Sequence, residues 1–211
     1  MSGTGKSTWA ARLAERGFRC FCCDEMITAK LSPELVRPDG KAMTVGEWMG
    51  FPYEPHYKER ESAYLACEME VLDEICAYLS DAKSKPEENI VVDTTGSVIY
   101  VGEETLRKLR RHTVVVHLAT PPEVWEHMLK AYVANQRPVL WRGLFSQEPN
   151  ESMEEALARC YPRLLSAREQ LYERCAHVIV DYYTRQGSFG VDDLLEIVHR
   201  NSGRAWPSAQ L

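Results

Sequence analysis

Apolar positions along the chain recur with two spacings, and their alternation describes a fold. Residues 8–16 set Trp9 and Leu13 four apart among small alanines with Gly17 behind them, which predicts a helix closed by a glycine C-cap. Residues 18–23 form a short apolar run ending at Asp24, the pattern of a buried parallel strand that delivers an acid at its C-terminal edge. Residues 32–55 carry Pro33, Pro38, Gly40, Gly46, Gly50, Pro52 and Pro55 and read as loop. Residues 56–79 then read as one long helix whose apolar face is Tyr57, Tyr64, Leu65, Met69, Leu72, Ile75 and Leu79.

After a polar connection over residues 80–89, the run Ile90, Val91, Val92 predicts a strand leading into Asp93-Thr94-Thr95-Gly96-Ser97. A helix over 103–111 and a strand over 113–118 follow, and Pro121-Pro122 opens a helix through about Val133. Residues 135–149 are polar, aromatic and Arg-bearing without periodicity, a candidate lid over about 134–150. A helix over 151–175, interrupted near Pro162, a strand over 177–181 and a helix over 191–199 complete the pattern. Strands alternating with helices predict a parallel α/β sheet.

A length of 211 residues suits one domain over 1–200 with a loose tail over 201–211. The formal charge of -6 offers no broad basic surface for a nucleic-acid backbone, and no apolar run approaches the roughly 20 residues that cross a bilayer. Seven cysteines without paired C-x-x-C spacing read as reduced, mostly buried thiols rather than a zinc site. Six histidines without metal spacing leave His117 and His177 as structural hydrogen-bonding groups on strands. The first residues lack the basic start and apolar core of a signal peptide, so the expectation is a cytoplasmic protein, and a monomer.

Gly3-Thr4-Gly5-Lys6-Ser7-Thr8 matches the end of G-x-x-x-x-G-K-[ST]. Small residues are needed there because consecutive backbone N–H groups close around phosphate oxygens at a helix N-terminus. Lys6 would reach the β- and γ-phosphates of ATP, and the Ser7 hydroxyl would hold Mg²⁺. The first glycine of the pattern would precede Met1, so the chain is expected to begin partway through this loop, without the central strand that feeds it.

Read in order, the later segments resemble shikimate kinase, a member of the nucleoside monophosphate kinase-like P-loop group, over roughly residues 1–199. The resemblance implies a three-layer α/β/α P-loop kinase with a parallel sheet, a substrate region over about 24–80 and a lid. Its D-x-D falls on Cys22-Cys23-Asp24, which implies that Asp24 binds the acceptor hydroxyl and serves as base, whereas Cys22 replaces a metal-associated Asp with a poor Mg²⁺ partner. Asp93 has the placement of a Walker-B acid that holds a magnesium-bound water, or of a strand-end cap.

The family's F-R-x-x-E is replaced by Tyr57-Lys58-Glu59-Arg60-Glu61, with Lys58 implied as a carboxylate grip that lacks the bidentate fork. T-G-G-G becomes Thr94-Thr95-Gly96-Ser97, leaving Gly96 as the surviving backbone contact. Arg137-Pro138-Val139-Leu140 resembles the lid motif R-P-L-L, so Arg137 would swing over the transferring phosphate; Trp141 and Arg142 would contact the acceptor or pack the lid. Arg168-Glu169-Gln170-Leu171-Tyr172 resembles the R-x-x-L-Y helix whose Arg meets the acceptor carboxylate, and Arg185 lies where adenine contacts are placed.

The reading is an ATP- and Mg²⁺-dependent kinase for a hydroxyl of a small anionic metabolite, shikimate first. Its alternatives are a related kinase for gluconate or a nucleoside, and a catalytically impaired nucleotide-binding regulatory protein.

Overall fold

The computed structural model describes residues 3–81 and 88–202. The expected connection over 80–89 lies partly outside these residues, as does the tail from 203 onward.

Helix α1 (Lys6–Glu15) leads to strand β1 (Arg19–Cys22), which runs directly into α2 (Cys23–Leu31). The apolar run thus ends one residue sooner than its composition predicts. Asp24 and Glu25 lie in the first turn of α2, where acids complement the positive end of the helix dipole. Cys23, Ile27 and Leu31, spaced by four, form its buried face.

The loop-rich stretch contains a further helix, α3 (Val45–Met49), nucleated by a capping box in which Thr44 and Glu47 each accept from the other's backbone N–H. Helix α4 (Tyr57–Asp81) follows, then β2 (Ile90–Asp93), α5 (Glu103–His112), β3 (Val116–Leu118), α6 (Trp125–Ala134), α7 (Met153–Cys175), β4 (Val178–Val180) and α8 (Val191–Ser202). The strand expected over 113–118 starts late because Thr113 closes α5, its N–H and its hydroxyl both donating to the Leu109 carbonyl.

Helix α7 is continuous through Pro162. Pro162 and the residue whose carbonyl it leaves unbonded, Ala158, are both exposed, so that carbonyl is open to solvent rather than buried without a donor. On the opposite side Cys160, Tyr161, Leu164 and Leu165 are buried and hold the helix in place.

β1 pairs in parallel with β2, Arg19 opposite Ile90 and Cys22 opposite Asp93. β3 pairs in parallel with β4, Val116 opposite Val178. Among the described residues the sheet hydrogen bonds form these two separate pairs. The larger core joins α2, α3, α4, α6 and α7, with Ile27, Met49, Tyr64, Leu72 and Leu164 almost wholly buried. A smaller core joins Trp9 and Leu13 of α1 to Leu118, Val178, Val180 and Leu194, with Val91 of β2 packed against it.

His117 bonds through Nε2 to Glu169 at 2.7 Å, and His177 Nδ1 accepts from the Val115 N–H at 3.0 Å. Four of the seven cysteines are buried and none is in a disulfide. Among the described residues no helix is long and apolar enough to cross a membrane.

Candidate active site

The site lies where parallel strands end and helices begin. Gly3 and Gly5 have φ of 83° and 89°, a left-handed conformation that a side chain would strain. Gly5 is the N-cap of α1, its carbonyl accepts from the Trp9 N–H at 3.0 Å, and no side chain caps the helix. The first-turn N–H groups therefore face a cavity of 1170 Å³ whose wall includes Gly3, Gly5, Lys6, Ser7 and Thr8, the arrangement that binds phosphate. Thr4 is buried, and Arg185 Nη1 donates to its carbonyl at 2.9 Å while Nη2 donates to the carbonyl of Ala119 after β3. Arg185 thus clamps the loop from behind rather than lining the cavity.

Asp24, on the first turn of α2, opens onto the same cavity. Burial pushes its carboxyl up, and Lys6 acts against this, as do Arg137 and a hydrogen bond from the Tyr64 hydroxyl. Burial likewise pulls Lys6 down, and the Asp93 and Asp24 carboxylates pull it back. Lys6 and Asp24 thus each offset part of the other's burial, while the Asp93 carboxylate favours the charged Lys6 and opposes the charged Asp24.

Asp93, at the C-terminal end of β2, is 7% exposed and its Oδ1 is buried without a hydrogen-bond partner. Asp93 is itself absent from the cavity wall; its carboxylate acts on Lys6, and with the Ser7 hydroxyl on the wall it offers hard oxygen donors of the type that suits Mg²⁺. Cys22, across the strand pair from Asp93, is pushed up by burial and by neighbouring carboxylates and stays a neutral thiol. Among the described residues no group of three His, Cys, Asp or Glu could hold a metal, so the rest of the ion's shell would be phosphate and water.

Arg168 reaches the cavity from α7 and is 4% exposed. Nη2 donates to the Leu140 carbonyl at 2.6 Å, the guanidinium lies 5.5 Å from the Tyr100 ring, and Nε has no partner. Tyr172, one turn on, donates through its hydroxyl to the carbonyl of Gly96, which also lines the cavity. The expected Lys58 is a correction: it is exposed and absent from the cavity wall. The inward face of α4 is set by Tyr57, Glu61, Tyr64 and Glu68, and Lys58 is rotated about 100° from Tyr57.

The lid divides into two parts. Arg137 and Pro138 line the cavity, and the backbone of Gln136 and Arg137 lies so close to Gly46 of α3 that a Cβ there would sit 2.0 Å from the Gln136 carbonyl oxygen. Residues 139–141 are buried in the core, Val139 also lining the cavity, and Arg142 is exposed. The Tyr57 hydroxyl donates to the Val139 carbonyl at 2.7 Å and accepts from the Trp141 N–H at 2.8 Å, and the Arg142 N–H donates to Glu61 at 2.9 Å. Trp141 is 1% exposed and packs against Tyr132, Phe145 and Tyr161, so it is a packing residue.

Sequence reasoning missed Gly46, Tyr64 and Glu68. Glu68 is wholly buried, with Thr95 Oγ1 donating to one carboxylate oxygen and Ser97 Oγ to the other at 2.5 Å. The available signal was an acid on the apolar face of α4, where an unpaired charge is not tolerated.

A sequence model of the shikimate kinase family matches residues 54–199, which takes in Asp93, Arg137, Arg168 and Arg185, while Lys6 and Asp24 precede it. The chain is also 28% identical over 184 residues to shikimate kinase 2 of Serratia proteamaculans (strain 568), covering 85% of this chain and 81% of that one. With its phosphate loop at the end of a parallel α/β unit, the chain belongs to the shikimate kinase family and is an ATP-dependent small-molecule kinase.

Proposed function

We propose that the protein transfers the γ-phosphoryl group of MgATP to a hydroxyl of a small carboxylate-bearing metabolite, with shikimate the first acceptor to test. The observation that carries this reading is Arg168. A guanidinium buried in the cavity of the phosphate loop, with its Nε unpartnered, matches a bidentate carboxylate.

In this reading the backbone around Gly3, Thr4 and Gly5, together with Ser7, Thr8 and Lys6, binds the phosphates. Lys6 neutralises the oxygens that gain charge as the bond to the leaving phosphate breaks. Arg137 approaches from the opposite wall and stabilises the equatorial oxygens of the transferring group. Asp24 orients the acceptor hydroxyl in line and takes its proton, while Arg168 holds the far end of the acceptor by its carboxylate. Mg²⁺ held through Ser7 and Asp93 would supply neutralisation of the β- and γ-phosphate oxygens.

A second acceptor class is favoured by one observation: Thr95 lines the cavity, so a side chain stands where the family pattern has glycine. The test is ADP release with MgATP in the presence of shikimate, gluconate, a nucleoside and a panel of small hydroxy acids. Stimulation by shikimate supports the leading assignment, and stimulation by another hydroxy acid alone moves it. ATP binding without stimulation by any acceptor overturns the catalytic reading in favour of a nucleotide-binding regulator.

A further inference from the structure

Next to the lid arginine, residues 139–142 form a strap whose backbone groups are taken up by side chains of other elements. The Tyr57 hydroxyl accepts from the Trp141 N–H at 2.8 Å, and its one proton faces the Val139 carbonyl and Glu61 Oε1, each 2.7 Å away. Glu61 Oε1 also accepts from the Arg142 N–H at 2.9 Å, and the Leu140 carbonyl accepts from Arg168 Nη2 at 2.6 Å. Tyr57 and Glu61, one turn apart on α4, are 3% and 7% exposed. Burial pushes the Tyr57 hydroxyl up, so it keeps the proton that this clasp needs.

The strap ends in a turn closed by the Leu144 N–H on the Trp141 carbonyl at 2.9 Å. Arg142 has a φ of 50° there, a left-handed backbone that a residue other than glycine keeps only where its surroundings over-determine it. Its bond to Glu61 supplies that constraint.

At the other end the strap continues into Pro138 and Arg137, both on the cavity wall. The pyrrolidine ring fixes the φ of Pro138, and its bulk drives the residue before it toward extended backbone. Two residues with so little torsional freedom form a stiff arm, which transmits the placement of Val139 to Arg137. Tyr57 is absent from the cavity wall, so an effect of its hydroxyl on the reaction passes through the strap. Resting on the assignment of Arg137 to the transferring phosphoryl group, we propose that Tyr57 is a positioning residue for phosphoryl transfer, whose hydroxyl clasps Val139 and Trp141 and through Pro138 holds Arg137 against the phosphate.

Two measurements test this. The first needs no acceptor: beryllium fluoride beside MgADP stands in for the transferring phosphoryl group, and calorimetry reads how far it tightens MgADP binding. Arg137→Ala should lose about 10- to 100-fold of that tightening, the range for one charged hydrogen bond. Tyr57→Phe, which keeps the ring and drops the hydroxyl, should lose a comparable factor while MgADP alone binds as it does to the wild type. The double variant should lose no more than Arg137→Ala. Additive losses, or full tightening in Tyr57→Phe, overturn the proposal, because a merely structural Tyr57 would lower the melting temperature and leave this readout in place. Full tightening in Arg137→Ala sinks the assignment of Arg137 instead, and the proposal with it.

The second measurement is turnover with shikimate, or with whichever hydroxy acid stimulates ADP release. In Tyr57→Phe, kcat should fall about 10- to 100-fold with the KM for ATP unchanged, as for a catalytic group misplaced by about an ångström. Pro138→Gly leaves the clasp in place and frees the arm, and it should reproduce both losses with the near-ultraviolet circular dichroism of the wild type. Should Tyr57→Phe fail to fold, Pro138→Gly decides: full tightening and full turnover there would show that the arm does not place Arg137, and the proposal fails.

Discussion

Arg168 holds its charge at 4% exposure with a carbonyl and an aromatic face for company, and a buried guanidinium in that setting is matched best by an anion that arrives from outside. Arg168→Lys keeps the charge and loses the fork. The KM for the anionic acceptor should rise on the order of 10- to 100-fold, the size of one charged hydrogen bond, with the KM for ATP unchanged in steady-state kinetics. An equal rise in both would assign Arg168 to the nucleotide instead.

Arg168 was legible in the sequence because R-x-x-L-Y places Arg and Tyr one turn apart, on the face that α7 buries. Lys58 was not, because a motif match does not fix helix phase: the buried stripe of α4 runs through Tyr57, Glu61, Tyr64 and Glu68. Glu68 escaped notice for a different reason. One acid among the seven of α4 reads as solvated, and its partners Thr95 and Ser97 lie 27 and 29 residues away.

At the scale of elements, α3 has the clearest task. Thr44-x-x-Glu47 is a capping-box signature visible in the sequence, although the surrounding prolines and glycines concealed it. Its role as a seat for the lid could not be read, since Gly46 matters only through the backbone of Gln136. Gly46→Ala would place a methyl against that backbone and displace Arg137. Turnover should drop by roughly 100-fold, the cost of misplacing a catalytic group by about an ångström. Nucleotide affinity, measured by fluorescence titration, should change little, because the backbone that Gly46 meets is that of Gln136 and Arg137 and not the phosphate loop. A variant with full activity would show that the lid works without this seat. The order of helices and strands was largely legible from periodicity, whereas α2 was absorbed into the preceding apolar run because Cys23 continues the strand composition.

At the scale of the molecule, burying Glu68 links stability to pH. Its carboxyl is raised from 4.5 to about 7 on folding, so between these values the folded state binds the proton and the unfolded chain does not. The stability it contributes is fully present below about 4.5 and is lost as pH rises through about 7, on the order of 3 kcal/mol. Asp24 is raised too and acts in the same direction. Urea melts at pH 5 and pH 8 should show the wild type losing stability on going up, and Glu68→Gln a flatter response. A wild type more stable at pH 8 would mean that Glu68 titrates as an ordinary surface acid.

The clamp of Arg185 has a consequence of its own. By gripping carbonyls of both Thr4 and Ala119, one side chain ties the curvature of the phosphate loop to the end of β3, and β3 rests on the smaller core beneath Leu118 and Val180. Catalytic geometry is thus tethered to packing that no ligand touches. A cavity opened in that core would loosen the tether before it unfolded the molecule, and wear in the foundation would show first as a fault in the chemistry.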